Sequence, residues 1–427
     1  MNIRTFIIIL LTLIFVMCAV DGIADKFDWP RWRGPDGNGI SMETDWNPEA
    51  LAGGPKILWK VNVGFGYSTV AIKDNRLYTM GLGGVYCFDA DTGEEIWQHS
   101  LESTDDTLAT PTTDGKYVCI LEKEGFLSCL KAKNGTLLWE KYLVSEYDVV
   151  TPFYYFAASP VIDGDLLILT ANTYGLALNK KTGMKIWGSE KPPESTIALF
   201  KETAQGDFET TGVDYSTPVL YEQEGKRYAI LSSYEGMHAV DVETGEVLWL
   251  YEWDLYGGTG HKIDPLIFDN KVLIGGATFN ELDCGIVLLD ISRKNPKVLW
   301  KSLNMYSNIS SPVLVDGYIY GSHGGPGYPY NELRCLNPET GELMWKKELN
   351  NVPISLMAAD GKLLILEADG TLRIAEATPT GYKEISGGDV LEGERTLRQF
   401  WTPPVLCNGK IYCRNFAGDV VCIDVSK

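Results

Sequence analysis

The sequence predicts an all-β protein, an eight-bladed β-propeller of four-stranded antiparallel blades. Three observations lead to this prediction. A motif ending in tryptophan recurs along the chain, with its clearest copies at 87–97, 239–249 and 335–345. Short apolar stretches joined by Asp-Gly and Thr-Gly turns surround each copy, and no long helical stretch is apparent. The two ends of the chain each carry part of one further repeat.

One repeat, residues 159–187, shows how a blade is built. An apolar strand follows Ser159-Pro160, and Asp163-Gly164 turns the chain into a second strand. A third strand and a Thr182-Gly183 turn lead to a fourth strand, which ends at Trp187. This is the pattern of an antiparallel meander. The same layout begins again at Thr110, Thr217, Asp264, Ser311 and Thr402, and in looser form at Ser68 and Ile354.

The blade-ending positions give the number of blades and the way in which the ring closes. They are Trp59, Trp97, Trp139, Trp187, Trp249, Trp300, Trp345 and, in a degraded copy, Ile385. After Trp401 the chain supplies three strands and then stops, whereas 57–61 is a strand that lacks three partners. We therefore expect these two pieces to form one blade, which closes the ring and removes free sheet edges.

The repeat gives structural explanations for residues that otherwise suggest chemistry. Tryptophans at the period positions are expected to join blades rather than to stack on sugars. Cys87, Cys129, Cys335 and Cys422 stand where other copies have small apolar residues, so we interpret them as core residues. Two cross-strand disulfides stay open as alternatives, because the predicted hairpins place Cys413 near Cys422 and Cys119 near Cys129.

The N-terminus predicts export. Residues 1–24 have the layout of a signal peptide, with Arg4 before an apolar run from Phe6 to Val20. Cleavage after Ala24 is the main expectation, and cleavage after Ala19, lipidation at Cys18 or an uncleaved anchor are alternatives. Residues 25–56 form an N-terminal extension. Its segment 29–33 (Trp-Pro-Arg-Trp-Arg) is expected to dock on the propeller by stacking of arginine on tryptophan, and binding of an acidic partner is the alternative. Residues 57–427 form the propeller. We expect a periplasmic or secreted monomer that is not transmembrane after cleavage.

The charge of the chain excludes one class of partner. The formal net charge is −20, and no cluster of Lys or Arg offsets it. Because such a surface repels phosphates, we expect no nucleic-acid partner.

Alternating strand direction sorts the loops onto two ends of the propeller. The turn face carries the short Asp-Gly and Thr-Gly turns, and the loop face carries the blade connectors and the loops between second and third strands. The long insertions at 140–158, 187–215, 277–283 and 322–332 all belong to the loop face, which is where function is expected. The rim candidates for binding are Tyr154, Tyr155, Asp214, Tyr215, His261, Asp264, His323, Tyr328, Arg398 and Trp401.

The motif Ala/Cys-x-Asp-x-x-Thr-Gly-x-x-x-Trp resembles the tryptophan-docking motif of pyrroloquinoline quinone (PQQ) dehydrogenases and their eight-bladed relatives. The resemblance covers roughly residues 57–427. The segment 29–41 is similar to the opening of many secreted bacterial PQQ-like repeat proteins. The resemblance implies that each tryptophan packs on the motif of the neighbouring blade. It implies an architecture and no particular chemistry.

Three functions follow as hypotheses. The favoured one is a non-catalytic binding or scaffolding propeller, similar to the propeller lipoprotein of the outer-membrane β-barrel assembly machinery. Its partner would be an envelope or extracellular protein or a glycan. The second is a PQQ-dependent oxidoreductase with calcium, but the chain has no adjacent cysteine pair and no haem-attachment Cys-x-x-Cys-His. The third is a carbohydrate-binding or carbohydrate-cleaving propeller. We expect no cofactor and no metal under the favoured hypothesis.

Overall fold

The computed structural model describes residues 27–101, 107–152, 155–190, 215–233, 235–253, 263–276, 285–307, 310–324, 331–350, 352–391 and 402–427. The strands of these residues form eight antiparallel sheets, which are the blades of a propeller ring. Seven sheets have four strands, and the eighth carries an additional short strand at its inner edge. The predicted fold class is therefore confirmed.

The first half of the chain contributes β1 (Ile40–Ser41), β2 (Ile57–Asn62), β3 (Ala71–Lys73), β4 (Arg76–Gly81), β5 (Gly84–Asp89), β6 (Glu95–Ser100), β7 (Thr112–Thr113), β8 (Tyr117–Leu121), β9 (Phe126–Lys131), β10 (Leu137–Tyr142), α1 (Leu143–Tyr147), β11 (Val161–Asp163), β12 (Leu166–Leu169), β13 (Leu176–Asn179) and β14 (Lys185–Gly188). The second half contributes β15 (Val219–Gln223), β16 (Lys226–Ser233), β17 (Gly236–Asp241), β18 (Val247–Glu252), β19 (Leu266–Phe268), β20 (Lys271–Gly276), β21 (Gly285–Asp290), β22 (Lys297–Ser302), β23 (Val313–Val315), β24 (Tyr318–Gly324), β25 (Asn331–Leu336), β26 (Leu343–Glu348), β27 (Ile354–Ala359), β28 (Lys362–Glu367), β29 (Thr371–Glu376), β30 (Glu384–Asp389), β31 (Val405–Cys407), β32 (Lys410–Arg414) and β33 (Asp419–Asp424). Blades 1 to 7 take four consecutive strands each, from β3 to β30, and blade 8 combines β31, β32 and β33 with β2.

The eighth blade closes the ring as the sequence predicts. Strand β2 pairs antiparallel with β33, so that Trp59 lies opposite Cys422 and Val61 opposite Val420. The N-terminal strand is thus the outermost strand of a blade whose three inner strands come from the C-terminus. This pairing gives the last sheet the same four-stranded build as the others and leaves no open seam in the ring.

The motif tryptophans join neighbouring blades through an indole hydrogen bond, and most of them also pack against a glycine of the next blade. The Trp97 indole N–H donates to the Ala132 carbonyl oxygen of the next blade at 3.0 Å. A Cβ added to Gly135 would lie 2.5 Å from the Trp97 ring, so the glycine of the Thr-Gly position lets the indole pack against the turn. The same indole bond to the next blade is made by Trp59, Trp139, Trp187, Trp300 and Trp345, at 2.8 to 3.1 Å.

Blade 4 departs from this arrangement. Its tryptophan, Trp249, donates to the Tyr221 hydroxyl of its own blade at 3.3 Å. The next blade has Ser292-Arg293-Lys294 in place of the Thr-Gly turn. There the Ile291 carbonyl oxygen receives the Gln223 side-chain N–H at 3.0 Å instead. A glutamine therefore supplies the hydrogen bond between blades that the indole supplies elsewhere.

A β-bulge recurs immediately before each motif tryptophan. In blade 1, Trp97 lies opposite Cys87 and Glu95 opposite Phe88, which leaves Ile96 as the extra residue. A bulge bends the outermost strand and hinders pairing with another chain along its open edge. The corresponding extra residues of the other blades are Leu58, Leu138, Ile186, Leu248, Leu299, Met344 and Ile385.

The strand pairing of blade 7 corrects one detail of the sequence analysis. In blade 7, Ile374 lies opposite Ser386, so Ser386 and not Ile385 occupies the tryptophan position. The space of the missing indole is taken by residues 46–55, which pack between blades 7 and 8 with Trp46 and Leu51 fully buried. The Asn47 N–H donates to the Val425 carbonyl oxygen, the position that receives an indole in other blades, at 2.6 Å. The Ser386 hydroxyl donates to the Pro48 carbonyl oxygen at 2.5 Å.

The structure also tests the two cysteine pairs. Tyr412 lies opposite Cys422, and Cys413 lies opposite Val421, so Cys413 and Cys422 point to opposite faces of their sheet. The predicted opposition of this pair is wrong, because the hairpin loop is centred on Ala417 rather than on the Ala417-Gly418 step. Cys119 and Cys129, in contrast, lie directly opposite each other.

Candidate functional site

A belt of side-chain oxygens links the innermost strands around the central channel. Each belt residue receives the backbone N–H of the equivalent residue in the preceding blade, and most belt residues precede a proline. The Thr110 hydroxyl accepts from the Thr69 N–H at 3.1 Å, and the Ser159 hydroxyl accepts from the Thr110 N–H at 2.9 Å. The belt continues through Thr217, Asp264 and Ser311. These bonds satisfy backbone groups in the channel wall and hold the inner strands in a common register.

Asp264 is the belt residue with a carboxylate, and both of its oxygens are engaged. Oδ1 accepts from the Thr217 N–H at 2.7 Å. Oδ2 accepts from the Trp32 indole at 2.7 Å and from the Ser311 hydroxyl at 3.0 Å, and the Arg33 guanidinium lies at 3.7 Å. Asp264 was predicted as a rim candidate, but it is buried in the channel wall and its described contacts are all internal. The geometry gives it a structural role.

Residues 27–43, here called the N-terminal plug, cross the channel at the turn face. The plug begins at the blade 8 turn, where the Phe27 N–H donates to the Asn408 side chain at 3.0 Å. It ends with β1, which pairs parallel with the innermost strand of blade 7. Between these points it contacts Ile72 of blade 1, Thr113 of blade 2, Asp264 of blade 5 and Ser311 of blade 6. The plug therefore covers the turn-face mouth of the channel.

The plug arginines are held mainly by carbonyl oxygens. Arg33 is 2% exposed and donates to the carbonyl oxygens of Ser311 at 2.9 Å and Pro312 at 2.7 Å. Burial lowers the pKa of Arg33, and the neighbouring Asp264 opposes this shift. Arg31 donates twice to the Pro35 carbonyl oxygen. The segment 29–33 thus contacts the propeller, but its arginines bond to carbonyls where stacking on tryptophan was expected.

The loop face carries four exposed large apolar side chains among the described residues. Phe65 is 51% exposed, Leu82 41%, Tyr155 44% and Leu303 60%. All four follow the fourth strand of a blade or lie between second and third strands. The loop face therefore holds both the sequence insertions and the exposed anchors suited to binding.

Tyr155 is held in an unusual conformation. Its φ of 66° lies in the left-handed region, which is costly for a bulky residue. Its N–H donates to the Pro152 carbonyl oxygen at 2.8 Å, and the Lys123 ammonium lies 5.3 Å from the ring centre. Strain of this kind persists where neighbouring contacts fix the backbone, and it is frequent at functional sites.

His323 lies in a small cleft between blades 6 and 7. Its Nδ1 accepts from the Tyr306 N–H at 3.3 Å, so the second ring nitrogen carries the proton in the neutral form. Burial, together with the nearby Arg334, lowers the pKa of His323 to about 4. The imidazole is therefore neutral at pH 7. The cleft is lined by Ser322, His323, Gly324, Asn331, Glu332, Pro353 and Ile354.

Glu332 organises the charges beside this cleft. It accepts from Arg334 Nε at 2.7 Å and from Lys346 Nζ at 2.8 Å. Burial alone raises the pKa of Glu332, but these hydrogen bonds outweigh it and the net pKa is lowered. Glu332 is thus an ionised, paired carboxylate, which does not fit the role of a general acid at neutral pH.

Most of the remaining rim candidates lie outside the described residues. These are Tyr154, Asp214, His261, Tyr328, Arg398 and Trp401. Tyr215 is partly buried where the chain enters blade 4. Tyr155 and His323 are on the loop face but in different blades, so the structure does not bring them together in one described site. Their roles in binding stay predictions.

The sequence analysis missed an aromatic cluster at the seam of blades 8 and 1. The Phe416 ring centre lies 5.6 Å from that of Phe65 and 4.6 Å from that of Tyr67. Gly64 and Gly66 flank Phe65 with φ of 78° and 148°. The run Gly-Phe-Gly-Tyr was the available signal, since glycines on both sides of an aromatic residue allow an exposed, sharply turned loop.

A PQQ and calcium site does not fit the described residues. Calcium takes six to eight oxygen ligands, typically from carboxylates and carbonyls. Asp264, the belt carboxylate, already has both oxygens engaged within the chain. No group of three or more His, Cys, Asp or Glu side chains converges within the described ranges.

Comparisons with known proteins agree with this architecture. A family model described as outer membrane protein assembly factor BamB matches residues 52–301. The outer membrane protein assembly factor BamB of Yersinia pestis is 23% identical over 373 residues, which cover 83% of this chain and 75% of that protein. In the part of the chain that the structure describes, no helix is both long and apolar enough to cross a membrane.

Solved structures show the same fold in proteins of different kinds. BamB from Moraxella catarrhalis matches with a TM-score of 0.61 and 16% identity, covering 86% of this chain and 97% of that one. The quinohemoprotein alcohol dehydrogenase from Comamonas testosteroni matches with a TM-score of 0.66 and 13% identity, covering 93% of this chain and 80% of that one. At these identities the likeness concerns the fold alone.

Proposed function

Because the chain belongs to the PQQ-type repeat family described as outer membrane protein assembly factor BamB, we propose that it is an extracytoplasmic binding or scaffolding propeller. Its partner, an envelope or extracellular protein, docks on the loop face. The observation that carries this proposal is the difference between the two ends of the ring. The plug fills the channel mouth at the turn face, whereas the sequence insertions belong to the loop face, which also carries Phe65, Tyr155 and Leu303 as exposed apolar side chains.

The exposed side chains support a protein partner. Phe65, Tyr155 and Leu303 are large apolar groups at three separate places on the loop face. Interface anchors are typically aromatic or aliphatic side chains that become buried on binding. The strained backbone of Tyr155 adds to this, because its conformation costs stability without an evident gain for the fold.

Site-specific cross-linking in the producing organism tests the proposal. A photoreactive amino acid is placed at Tyr155 or Leu303 on the loop face, and at Met184 or Ile186 near the turn face as a matched control. All four positions are at least 44% exposed. We expect the loop-face positions to give a discrete cross-linked partner and the control positions to give none. Cross-linking of the same partner from Met184 and Ile186 would show that the partner binds elsewhere.

Export is tested separately by mass spectrometry of the natural protein. Residues 1–26 lie outside the described residues, so the signal peptide stays a prediction. We expect the mature chain to begin after Ala24, with the apolar run Phe6–Val20 removed. A natural protein that still begins at Met1 would contradict cleavage of the signal peptide. A mature chain that begins at a lipid-modified Cys18 would contradict cleavage after Ala24 and indicate a lipid-anchored protein.

A further inference from the structure

Cys119 and Cys129 occupy a special kind of cross-strand position in blade 2. The Glu122 N–H donates to the Phe126 carbonyl oxygen at 2.9 Å, and the Ala132 N–H donates to the Lys116 carbonyl oxygen at 2.9 Å. In an antiparallel pair, hydrogen-bonded and non-hydrogen-bonded residue pairs alternate. Cys119 lies three residues from both Glu122 and Lys116, which belong to hydrogen-bonded pairs. The alternation therefore makes Cys119 and Cys129 a non-hydrogen-bonded pair. Their Cα atoms are then expected about 4.5 Å apart, within the range that a disulfide spans.

The two thiols contact each other inside the blade. Both cysteines are 0% exposed and belong to the apolar core that blade 2 shares with blade 3. The hydrogen bond between the thiols is the main influence that raises the pKa of Cys119, and burial raises this pKa further. Two sulfur atoms that face each other across a sheet, without solvent between them, need no backbone rearrangement to become bonded.

The second cysteine pair of similar spacing provides a natural comparison. Cys413 and Cys422 are nine residues apart and also belong to neighbouring strands of one hairpin. Their register is displaced by one residue, which places the side chains on opposite faces of the sheet. Composition and spacing are thus nearly matched, and the register alone separates the two pairs.

We propose that Cys119 and Cys129 form an intrablade disulfide when the chain folds in an oxidising compartment. Both cysteines are reduced in the structure. Oxidation occurs by thiol–disulfide exchange: two thiols become one S–S bond, and an external disulfide of the glutathione or dithiol-oxidase class is reduced to two thiols. The thiol protons pass to solvent and then to the released thiolates. The natural oxidant of this disulfide depends on the proposed extracytoplasmic location. The geometry of the cysteine pair does not depend on that location.

Burial determines when the bond forms. The raised pKa leaves little thiolate, which is the attacking species, and the folded blade excludes the oxidant. Exchange is therefore expected while the hairpin is formed but blades 2 and 3 are not yet packed. The folded reduced protein should resist oxidation, and the folded oxidised protein should resist reduction.

Peptide mapping of the full-length chain tests the proposal. The chain is produced through a bacterial secretory pathway, denatured with a maleimide present, and digested with trypsin without reduction. Cleavage after Lys116, Lys123 and Lys131 separates the two cysteines onto different peptides. We expect these peptides to be linked and to separate on reduction, whereas Cys413 and Cys422 carry maleimide. Maleimide on both Cys119 and Cys129 would overturn the proposal, as would linkage of Cys413 to Cys422.

A second measurement keeps the test valid if secretion perturbs folding. Protein made in a reducing cytoplasm is unfolded and refolded with oxidised glutathione, or is exposed to oxidised glutathione while folded. We expect the linked peptide after refolding only, together with a Tm several degrees above that of the reduced protein. The double variant C119S/C129S should show a Tm that reductant does not change. Absence of linkage after refolding overturns the geometry, whereas an intact Met1 in the natural protein would overturn only the location.

Discussion

A single residue of the belt shows how the propeller wall is adapted to its N-terminal plug. The other residues of the linked belt carry hydroxyl groups, whereas blade 5 has Asp264. The carboxylate keeps the belt function, since it accepts the Thr217 N–H, and it adds an acceptor for Trp32 and a counter-charge for Arg33. The exchange of a hydroxyl for a carboxylate is thus explained by a segment more than 200 residues earlier in the chain.

Replacement of Asp264 by serine should be strongly destabilising. D264S retains an oxygen for the belt but leaves the Arg33 guanidinium buried without a counter-charge. Removal of one partner of a buried ion pair costs about 3–5 kcal/mol. Denaturant unfolding measures the free energy of unfolding, and S311A serves as the control, with an expected loss of about 1 kcal/mol for its hydrogen bonds. In R33M/D264S the loss should be smaller than the sum of the single variants, and full additivity would contradict the pairing.

Glu43 is expected to make stability depend on pH. Burial is the largest influence and raises its pKa, although backbone N–H groups of Gly409 and Asn408 and the charge of Lys410 oppose this. Its Oε2 is buried without a hydrogen-bond partner. Because the folded-state pKa lies above the unfolded value, Glu43 favours the folded state at low pH, and this contribution is lost as pH rises through the folded-state pKa. The Tm of E43Q relative to that of the natural chain should therefore increase from pH 4 to pH 7. A difference in Tm that is constant over this range would contradict the raised pKa.

At the scale of elements, the Thr-Gly turns provide the surface on which tryptophans of the preceding blade pack. Gly245 has φ of 73°, and an added Cβ would lie 2.7 Å from the Trp187 ring. Gly225, in another turn of the same blade, has φ of 74° and nothing within 4 Å of an added Cβ. The two glycines differ in packing and share the same backbone requirement.

The pair G245A and G225A separates these two effects. G225A should cost about 1–2 kcal/mol, the strain of a left-handed alanine. G245A should cost a further 1–3 kcal/mol, about the usual penalty for overpacking, because the indole must move away from the turn. The free energy of unfolding from denaturant titration measures both. Equal losses in the two variants would show that the glycine contact does not contribute to the joint between blades 3 and 4.

The sequence predicted these elements well where they repeat, and less well where they depart from the repeat. The tryptophan motif located the blades because an indole has few substitutes as a large apolar group with one donor. The residue opposite Cys87 is Trp97, ten positions later, whereas the residue opposite Ile374 is Ser386, twelve positions later. This longer turn has no clear signal in composition, so Ile385 was confused with Ser386. The opposition of Cys413 and Cys422 failed for a similar reason, since one residue of hairpin loop length reverses the side-chain faces.

At the scale of the whole molecule, two pairings of distant residues complete the ring. Strand β2 closes blade 8, and the plug with residues 46–55 fills the channel mouth and the seam where the seventh blade lacks its tryptophan. The first was predictable because each chain end carries an incomplete repeat. The path of the plug was not, because Arg33 and Trp29 bond mainly to backbone groups of the inner strands, which any sequence supplies.

The plug should open independently of the blades. Trp29 is 1% exposed and bridges to Ile72, and nearby the Cys407 thiol donates to the Phe27 carbonyl oxygen at 2.9 Å. Truncation of a buried tryptophan costs about 3–5 kcal/mol. In W29A this free-energy cost destabilises the plug, which covers the Cys407 thiol. We therefore expect Cys407 to react with maleimide at least tenfold faster than in the natural chain. W97A carries the same truncation between blades 1 and 2 and should leave Cys407 protected under native conditions. Mass spectrometry of the labelled peptide measures both rates, and equal labelling in W29A and W97A would mean that the plug and the blades unfold as one unit.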